Sequence, residues 1–246
     1  MRTGGGPETF EAISHTHITN LRRYLGLEPD FTVVEIGCGI GRDAIPLTEI
    51  LTSGRYLGID IIGESIAWCQ AHVSRQFPHF SFHHFDVRDP IHNPAGTLDG
   101  RQVVIPAADG TVDRIFLQSV FTHLLPEMIS HYCREFCRVL KSDGRVYATC
   151  FLVDDAILAS ARKADLTQWH LRFEHPWEEG CYVHDLQLPG SAVAYTLPRM
   201  MDLIYAAGLA LARPPLPGFW SRFYQDWVDG QDVVILKKVP YGVSPL

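Results

Sequence analysis

Val33-Val-Glu-Ile-Gly-Cys-Gly-Ile-Gly-Arg42 is the stretch on which the fold turns. The run Phe31 to Ile36 is apolar and β-branched, of the length of a buried strand, and it breaks into glycines at 37, 39 and 41. Ala44, Ile45, Leu47, Ile50 and Leu51 follow at helical spacing, predicting a helix over Arg42 to Thr52. A glycine turn between a first strand and its helix lets a ligand approach the backbone closely, with helix N–H groups facing it. The spacing narrows the ligand. A dinucleotide fingerprint needs Gly or Ala where Arg42 stands, and no Gly-Lys-Ser/Thr follows, which argues against an ATP phosphate loop.

The alternation continues outward. Arg55 to Asp60 reads as strand two, and Ile62, Ile66, Cys69, Val73 and Phe77 as one helix face that stops before Pro78. Phe80 to Asp86 is strand three, Val87 to Thr111 a Pro- and Gly-rich loop, and Asp113 to Val120 strand four. Pro126 suits a first helical position; Ile129, Tyr132, Cys133, Phe136 and Leu140 form the buried face, and Asp143-Gly144 ends the helix. Arg145 to Val153 is apolar on both faces, as a central parallel strand should be. This pattern predicts an open α/β sheet with helices on both faces. Asp154 to Gly190 is rich in His, Trp and charge with weak periodicity, and reads as an insertion or lid after strand five. Leu197 to Ala207 resumes as helix, Leu209 to Ala212 and Asp232 to Lys238 are strands, and Pro214 to Gly230 is a long loop. The whole, 1–246, is expected to be a single domain: a helical cap over 1–30, a core over 31–153, the insertion over 154–190, and the rest of the sheet over 191–246.

Composition excludes several classes. Lys and Arg number 21 against 28 Asp and Glu, a net charge of −7, which argues against a general nucleic-acid binder. With 46% hydrophobic residues the chain can bury a core. No apolar run approaches the roughly 18 residues of a membrane span, and Met1 to Phe10 has the polarity of no secretory signal. The six cysteines form no CxxC pair and are expected as reduced buried thiols in the cytoplasm. The twelve histidines are the unusual count.

Two carboxylates stand at successive strand ends. Asp60 closes strand two, where it can accept both ribose hydroxyls; Asp86 closes strand three, where an acceptor can meet an exocyclic amine. An Asp at a strand end is also a common loop cap. With the glycine turn, the pair describes a nucleoside site that lacks a pyrophosphate-seeking feature.

On these residues, and on Tyr56-Leu-Gly-Ile-Asp60, Phe85-Asp86, Asp113-Arg-Ile-Phe-Leu-Gln-Ser-Val-Phe-Thr-His-Leu124 and Phe136-Cys-Arg-Val-Leu-Lys-Ser-Asp-Gly-Arg145, the sequence resembles the class I S-adenosylmethionine-dependent methyltransferases. The resemblance is strong over 31–153 and weaker over 192–238. It extends to a small-molecule branch marked by Ser119-Val-Phe-Thr-His-Leu124, the Asn93-Pro-x-Gly-Thr-Leu98 loop, a Trp-Ser-x-x-Tyr segment and a final Gln-Asp strand. Ser142-Asp143 replaces the family's usual Pro-Gly, which touches a turn and not the site. The resemblance implies a Rossmann-like, mostly parallel seven-stranded sheet of order 3-2-1-4-5-7-6 and S-adenosyl-L-methionine as cofactor. By it, Gly37, Cys38 and Gly39 line the methionine part with backbone. Glu35 anchors the turn or the ammonium group through water. Arg42 reaches the carboxylate or is a surface helix-start residue. Asp60 holds the ribose, Ile61 packs on adenine, Asp86 and Val87 meet the adenine edge, and Gln118 and Ser119 face the cofactor.

A sulfonium methyl leaves by in-line displacement, so such an enzyme mainly aligns its reactants and excludes water. A hydroxyl acceptor needs a general base, and His123, just past strand four, is the candidate; its other reading is a residue that shapes the loop. His170, His175 and His184 lie in the insertion with Trp169, Trp177 and Tyr182, and either contact the acceptor or decorate a polar loop. His175 and His184 are the further catalytic candidates. His170, Glu174 and His175 with Asp154 and Asp155 form no HExxH pattern, and no metal is expected. Trp220, Ser221, Arg222 and Tyr224 either close the acceptor pocket or pack a surface loop. The Asn/Asp-Pro-Pro-aromatic box of amide and base methylation is absent, since strand four runs on as Gln118-Ser-Val-Phe121. The expected reaction is methyl transfer to a small-molecule hydroxyl, of a sugar, glycolipid or secondary metabolite. The alternatives are N-methylation of a small molecule, or a cofactor-binding protein of this fold without turnover.

Overall fold

The computed structural model describes residues 6–163 and 170–239. Before the sheet comes α1 (Phe10–Asn20), continued by a π-type turn over Leu21–Leu25 and closed by Gly26 at φ +71°, the left-handed position that glycine adopts at a helix end. The sheet follows: β1 (Thr32–Ile36), α2 (Ala44–Leu47), β2 (Arg55–Asp60), α3 (Gly63–Cys69), β3 (Phe80–His84), β4 (Val112–Leu117), α4 (Pro126–Val139) and β5 (Leu140–Cys150). Then come β6 (Leu152–Val153), α5 (Asp155–Lys163), β7 (His175–Glu178), β8 (Cys181–Val183), β9 (Val193–Thr196), α6 (Leu197–Ala206), β10 (Leu209–Leu211) and β11 (Asp232–Lys238).

One sheet has seven strands in the order β10-β11-β5-β4-β1-β2-β3. Counted without the short strands of the second sheet, this is the expected 3-2-1-4-5-7-6. β1 runs parallel to β2 and to β4, with Ile36 opposite Ile59 and Leu117, and β2 runs parallel to β3, with Asp60 opposite His84. The parallel registers bring the C-terminal ends of four strands to one edge, which is where an open α/β sheet binds its ligands.

Residue contacts divide the chain into two compact units. The first holds the described residues up to Gln118 together with Arg138–Tyr147, and the second holds Ser119–Cys137 together with the described residues from Ala148 onward. In the first unit Val33, Val34, Ile115, Phe116 and Leu117 are fully buried, so β1 and β4 are apolar on both faces. Asp113 ties the strand starts: Oδ2 accepts from the Thr32 N–H at 2.8 Å and Oδ1 from Lys141 Nζ at 2.7 Å.

The second unit has its own core, in which Phe151, Phe173 and Trp220 meet edge to face or tilted at centroid distances of 5.0 to 5.5 Å. Asp232 is the polar anchor beneath it. Its Oδ2 accepts from the Leu152 N–H at 2.9 Å and from Trp220 Nε1 at 2.7 Å, and its Oδ1 from the Gly218 N–H at 2.7 Å. Burial pushes its carboxyl up to about 6.

The segment 154–190, expected as an insertion or lid of weak periodicity, has secondary structure of its own. It contains α5, and β7 and β8 join β6 and β9 in a second sheet of order β6-β9-β8-β7. Strands of two to four residues are too short to display a period, and their partners lie far along the chain. Leu152-Val153, expected to extend strand five, pair instead with Tyr195-Thr196. The helix expected over 42–52 shrinks to Ala44–Leu47, because Pro46 has no N–H to give and the chain continues in tighter turns such as Thr48 N to Ile45 O. Trp169 lies outside the described residues.

Candidate functional site

The glycine turn is built from left-handed backbone. Gly37, Gly39 and Gly41 have φ of +79°, +54° and +78°, a region that other L-residues enter only with strain. The Gly37 and Cys38 N–H groups both donate to Ile59 O, at 2.7 and 3.1 Å, which pins the turn to the end of β2. Asp60 then clamps it. Oδ2 accepts from the Gly39 N–H at 2.7 Å and Oδ1 from the Ile62 N–H at 2.8 Å. Each oxygen keeps acceptor capacity, since a carboxylate offers about four lone-pair sites. Asp60 is 8% exposed, and desolvation raises its pKa despite the backbone bonds that oppose the rise.

Glu35 lies under the turn. It accepts a hydrogen bond from the Tyr56 hydroxyl, and burial, with the nearby Asp43 charge, raises its pKa well above the usual carboxylate range. A proton on Glu35 relieves the repulsion among three buried acids, Glu35, Asp43 and Asp60. The Cys38 and Cys69 thiols both point at Gly39 O, at 3.8 and 3.6 Å. Burial pushes Cys38 up well above a free thiol and Cys69 to about 12, so both stay neutral.

Arg42 starts the exit from the turn. Its carbonyl accepts from Ser14 Oγ at 2.9 Å and its Nε stands 3.8 Å from Asp43 Oδ1. Asp43 Oδ2 in turn bonds His17 Nδ1 at 2.7 Å in a buried pair. Thus α1 is fastened to the turn by Ser14 and His17. His17 is not distinguished in the sequence, because a single His on a helix carries no signal without its Asp partner 26 residues away.

At the end of β3, Asp86 holds a loop. Oδ1 accepts from Asn93 Nδ2 at 3.1 Å, and Oδ2 from the Thr97 hydroxyl at 2.7 Å and the Thr97 N–H at 3.2 Å. These bonds, Thr97 first, hold its carboxyl below the usual range. The Asn93-Pro-x-Gly-Thr97 stretch is thereby explained as the partner of Asp86. Val87 is buried, its N–H donating to Phe85 O at 2.7 Å. Ile61 is half-buried, and its carbonyl bonds His84 Nε2 at 3.1 Å.

Gln118 follows β4 in the register position beside Gly37. It is 9% exposed, and its Nε2 has no hydrogen-bond partner among the described residues. An unpaired buried amide costs about 1–3 kcal/mol, so it marks a place where a ligand acceptor is missing. The residues present therefore fit a nucleoside-type ligand: a glycine backbone without side chains at 37, 39 and 41, a carboxylate with spare lone pairs, and an orphaned donor along one sheet edge.

The remaining candidates lie in the second unit. Ser119 has φ +58°, a left-handed position that costs a non-glycine residue about 1–2 kcal/mol. Its N–H donates to Thr149 Oγ1 at 2.7 Å, and its Oγ accepts from Gln231 Nε2 at 2.8 Å and lies 3.3 Å from Thr122 Oγ1. His123, in a short turn over Phe121–His123, places Nδ1 2.9 Å from Gly190 O. His175 opens β7, and His184 follows β8, where its Nδ1 accepts from the Arg172 N–H at 3.4 Å. Both lie at the open end of the small sheet's hairpin, where His175 pairs with Val183, and no group of three metal-ligating side chains that could hold an ion occurs among the described residues.

Comparison with known proteins assigns this architecture. Residues 34–148 match the family described as Methyltransferase domain. An arsenite methyltransferase of Aquipseudomonas alcaligenes is 26% identical over 172 residues, which is 69% of this chain and 45% of that protein. The chain thus spans less than half the length of this curated relative. Among solved structures, the Burkholderia thailandensis 1,6-didemethyltoxoflavin-N1-methyltransferase, with 1,6-didemethyltoxoflavin and S-adenosylhomocysteine bound, superposes with a TM-score of 0.57 at 17% identity, over 94% of this chain and 80% of that one. The mitomycin 7-O-methyltransferase MmcR does so with a TM-score of 0.57 at 16% identity, over 95% and 55%. Residues 34–148 thus match a methyltransferase domain, and these solved structures share the fold of the chain.

Proposed function

We propose that the protein transfers the methyl group of S-adenosylmethionine to a hydroxyl of a small molecule, of the sugar, glycolipid or secondary-metabolite kind. When bound, the cofactor supplies an electrophilic methyl on a sulfonium. The chain's part is to hold, to orient and to take a proton. In this reading Gly37, Cys38 and Gly39 give backbone to the methionine end, while Glu35 and Arg42 support it. Asp60 accepts the ribose hydroxyls on its spare lone pairs, Ile61 packs on adenine, and Asp86 shapes the loop at the adenine edge beside Val87. The observation that carries the cofactor assignment is the orphaned Gln118 amide, a buried donor that a bound acceptor atom satisfies.

The proton goes to His123. A neutral imidazole whose Nδ1–H donates to Gly190 O has Nε2 as its basic nitrogen. That tautomer is what a general base requires. Small-molecule methylation also agrees with the acidic balance of the chain, a net charge of −7. His175 and His184 remain secondary candidates for acceptor contact.

The reading is tested by incubating the protein with S-adenosylmethionine and a panel of hydroxylated metabolites, and following S-adenosylhomocysteine release by mass spectrometry. Acceptor-dependent release supports it. Tight cofactor binding without release for any acceptor contradicts it.

A further inference from the structure

We propose that a cavity in the first unit, of about 570 Å³, binds an organic cation: an ammonium or quaternary ammonium group on a small apolar body. The cavity lies between the segment that opens α1 and the residues around the glycine turn, and the ligand proposed for it goes beyond the methyl-transfer reading. Its volume falls within the roughly 300–1,000 Å³ of small-molecule pockets.

Its lining has two chemical parts. Phe10, Trp68, Ile40 and Ile45 form apolar walls, and Glu8 and Glu11 supply carboxylates. Trp68 is 41% and Ile45 43% exposed. Large apolar side chains left in solvent are explained when they share a pocket. The two glutamates are exposed and have no ion-pair partner among the described residues. Aromatic faces and carboxylates attract positive charge and repel an anion, while the isoleucines accept the apolar remainder of the ligand.

The walls are fixed before any ligand arrives. The Trp68 indole stacks on His72 at 4.6 Å between centroids, and His72 Nδ1 bonds back to Trp68 O at 2.9 Å. The opposite wall is tied down by the Ser14–Arg42 and His17–Asp43 bonds. A preformed wall loses little ordering entropy on binding. Ile40, between Gly39 and Gly41, is the lining residue that the glycine turn contributes.

The test is calorimetry of the full chain with benzyltrimethylammonium and with the uncharged, similarly shaped benzyl tert-butyl ether. The expected result is 1:1 binding of the cation that weakens with added salt, with the ether binding at least about tenfold more weakly, the scale of a cation–π contact plus exposed ion pairing. Trp68→Ala should reduce cation affinity about tenfold. The isosteric double variant Glu8→Gln/Glu11→Gln, which leaves every wall in place, should reduce it several-fold and flatten the salt dependence. Melting curves of both variants check that they fold. Equal affinity for the ether, no response to the glutamine variant, or no binding at millimolar cation overturns the proposal.

Discussion

Replacing Asp60 tests the clamp on the glycine turn and the ribose assignment together. Its oxygens accept two backbone N–H bonds, at 2.7 and 2.8 Å. Bonds to a charged group contribute about 1.5–3 kcal/mol each. Asp60→Ala loses both, but it also removes a carboxylate whose burial is unfavourable, as its raised pKa records. A net loss of about 2–4 kcal/mol is expected, which lowers the melting temperature by on the order of 5–15 °C. Cofactor affinity should fall at least about tenfold, or about 1.4 kcal/mol. Asp60→Asn separates the two roles, because it keeps one acceptor oxygen and most of the shape. The discriminating assay is a cycle of adenosine against 2′,3′-dideoxyadenosine, by calorimetry, in the wild type and in Asp60→Asn. The wild type should prefer adenosine by about 2–3 kcal/mol, from two hydroxyl bonds to a carboxylate. In the variant that preference should shrink by at least half. An undiminished preference would falsify the ribose assignment, and an unchanged melting temperature in Asp60→Ala would remove the clamp.

Other positions respond in distinct ways. His123→Ala should lower turnover by about 100-fold or more while S-adenosylhomocysteine affinity stays within about twofold; a pH–rate profile that survives the substitution rules His123 out as the base. Gln118→Leu removes an orphaned donor, so it should leave the melting temperature unchanged or raise it while weakening cofactor binding about tenfold; calorimetry and melting curves together read both effects, and unaltered binding contradicts the assignment. Asp86→Ala should speed amide exchange over 93–98, and because the folded carboxyl titrates below its ordinary value, protection of this loop in the wild type should also be lost as the pH falls through that lowered value. Asp232 has the opposite sign. Its folded carboxyl holds a proton up to about pH 6, whereas the unfolded one releases it near 4, so stability should fall by up to about 3 kcal/mol as pH rises across that window. Asp232→Asn should flatten the slope in denaturant titrations, and an unchanged slope rejects this account.

The sequence made the large sheet legible because its elements are long enough to show a period and are punctuated at the right places. Val33 to Arg42 carried the decisive turn, and Asp232 to Lys238 was readable as a strand to the residue. The second sheet was not legible. His175–Glu178 and Cys181–Val183 are too short for alternation to stand out, and Leu152-Val153 is apolar enough to pass for more of the preceding strand. The first-unit site divides in the same way. Glycines and strand-end carboxylates announce themselves by position. Their partners do not: Tyr56 on Glu35, His17 on Asp43 and Thr97 on Asp86 depend on pairings across 21, 26 and 11 residues. The Asn93-Pro-x-Gly-Thr97 motif was visible as a pattern, but only the bonds to Asp86 give it a cause.

Transfer of a labelled methyl group addresses the central claim most directly. The full chain is incubated with S-adenosylmethionine carrying a carbon-13 methyl and with a panel of small hydroxylated and amine-bearing acceptors, and the products are read by carbon-13 NMR. The account predicts a new resonance in the methoxy region for a hydroxylated acceptor, abolished by His123→Ala. A label that appears only as N-methyl, or that never leaves the cofactor, contradicts it.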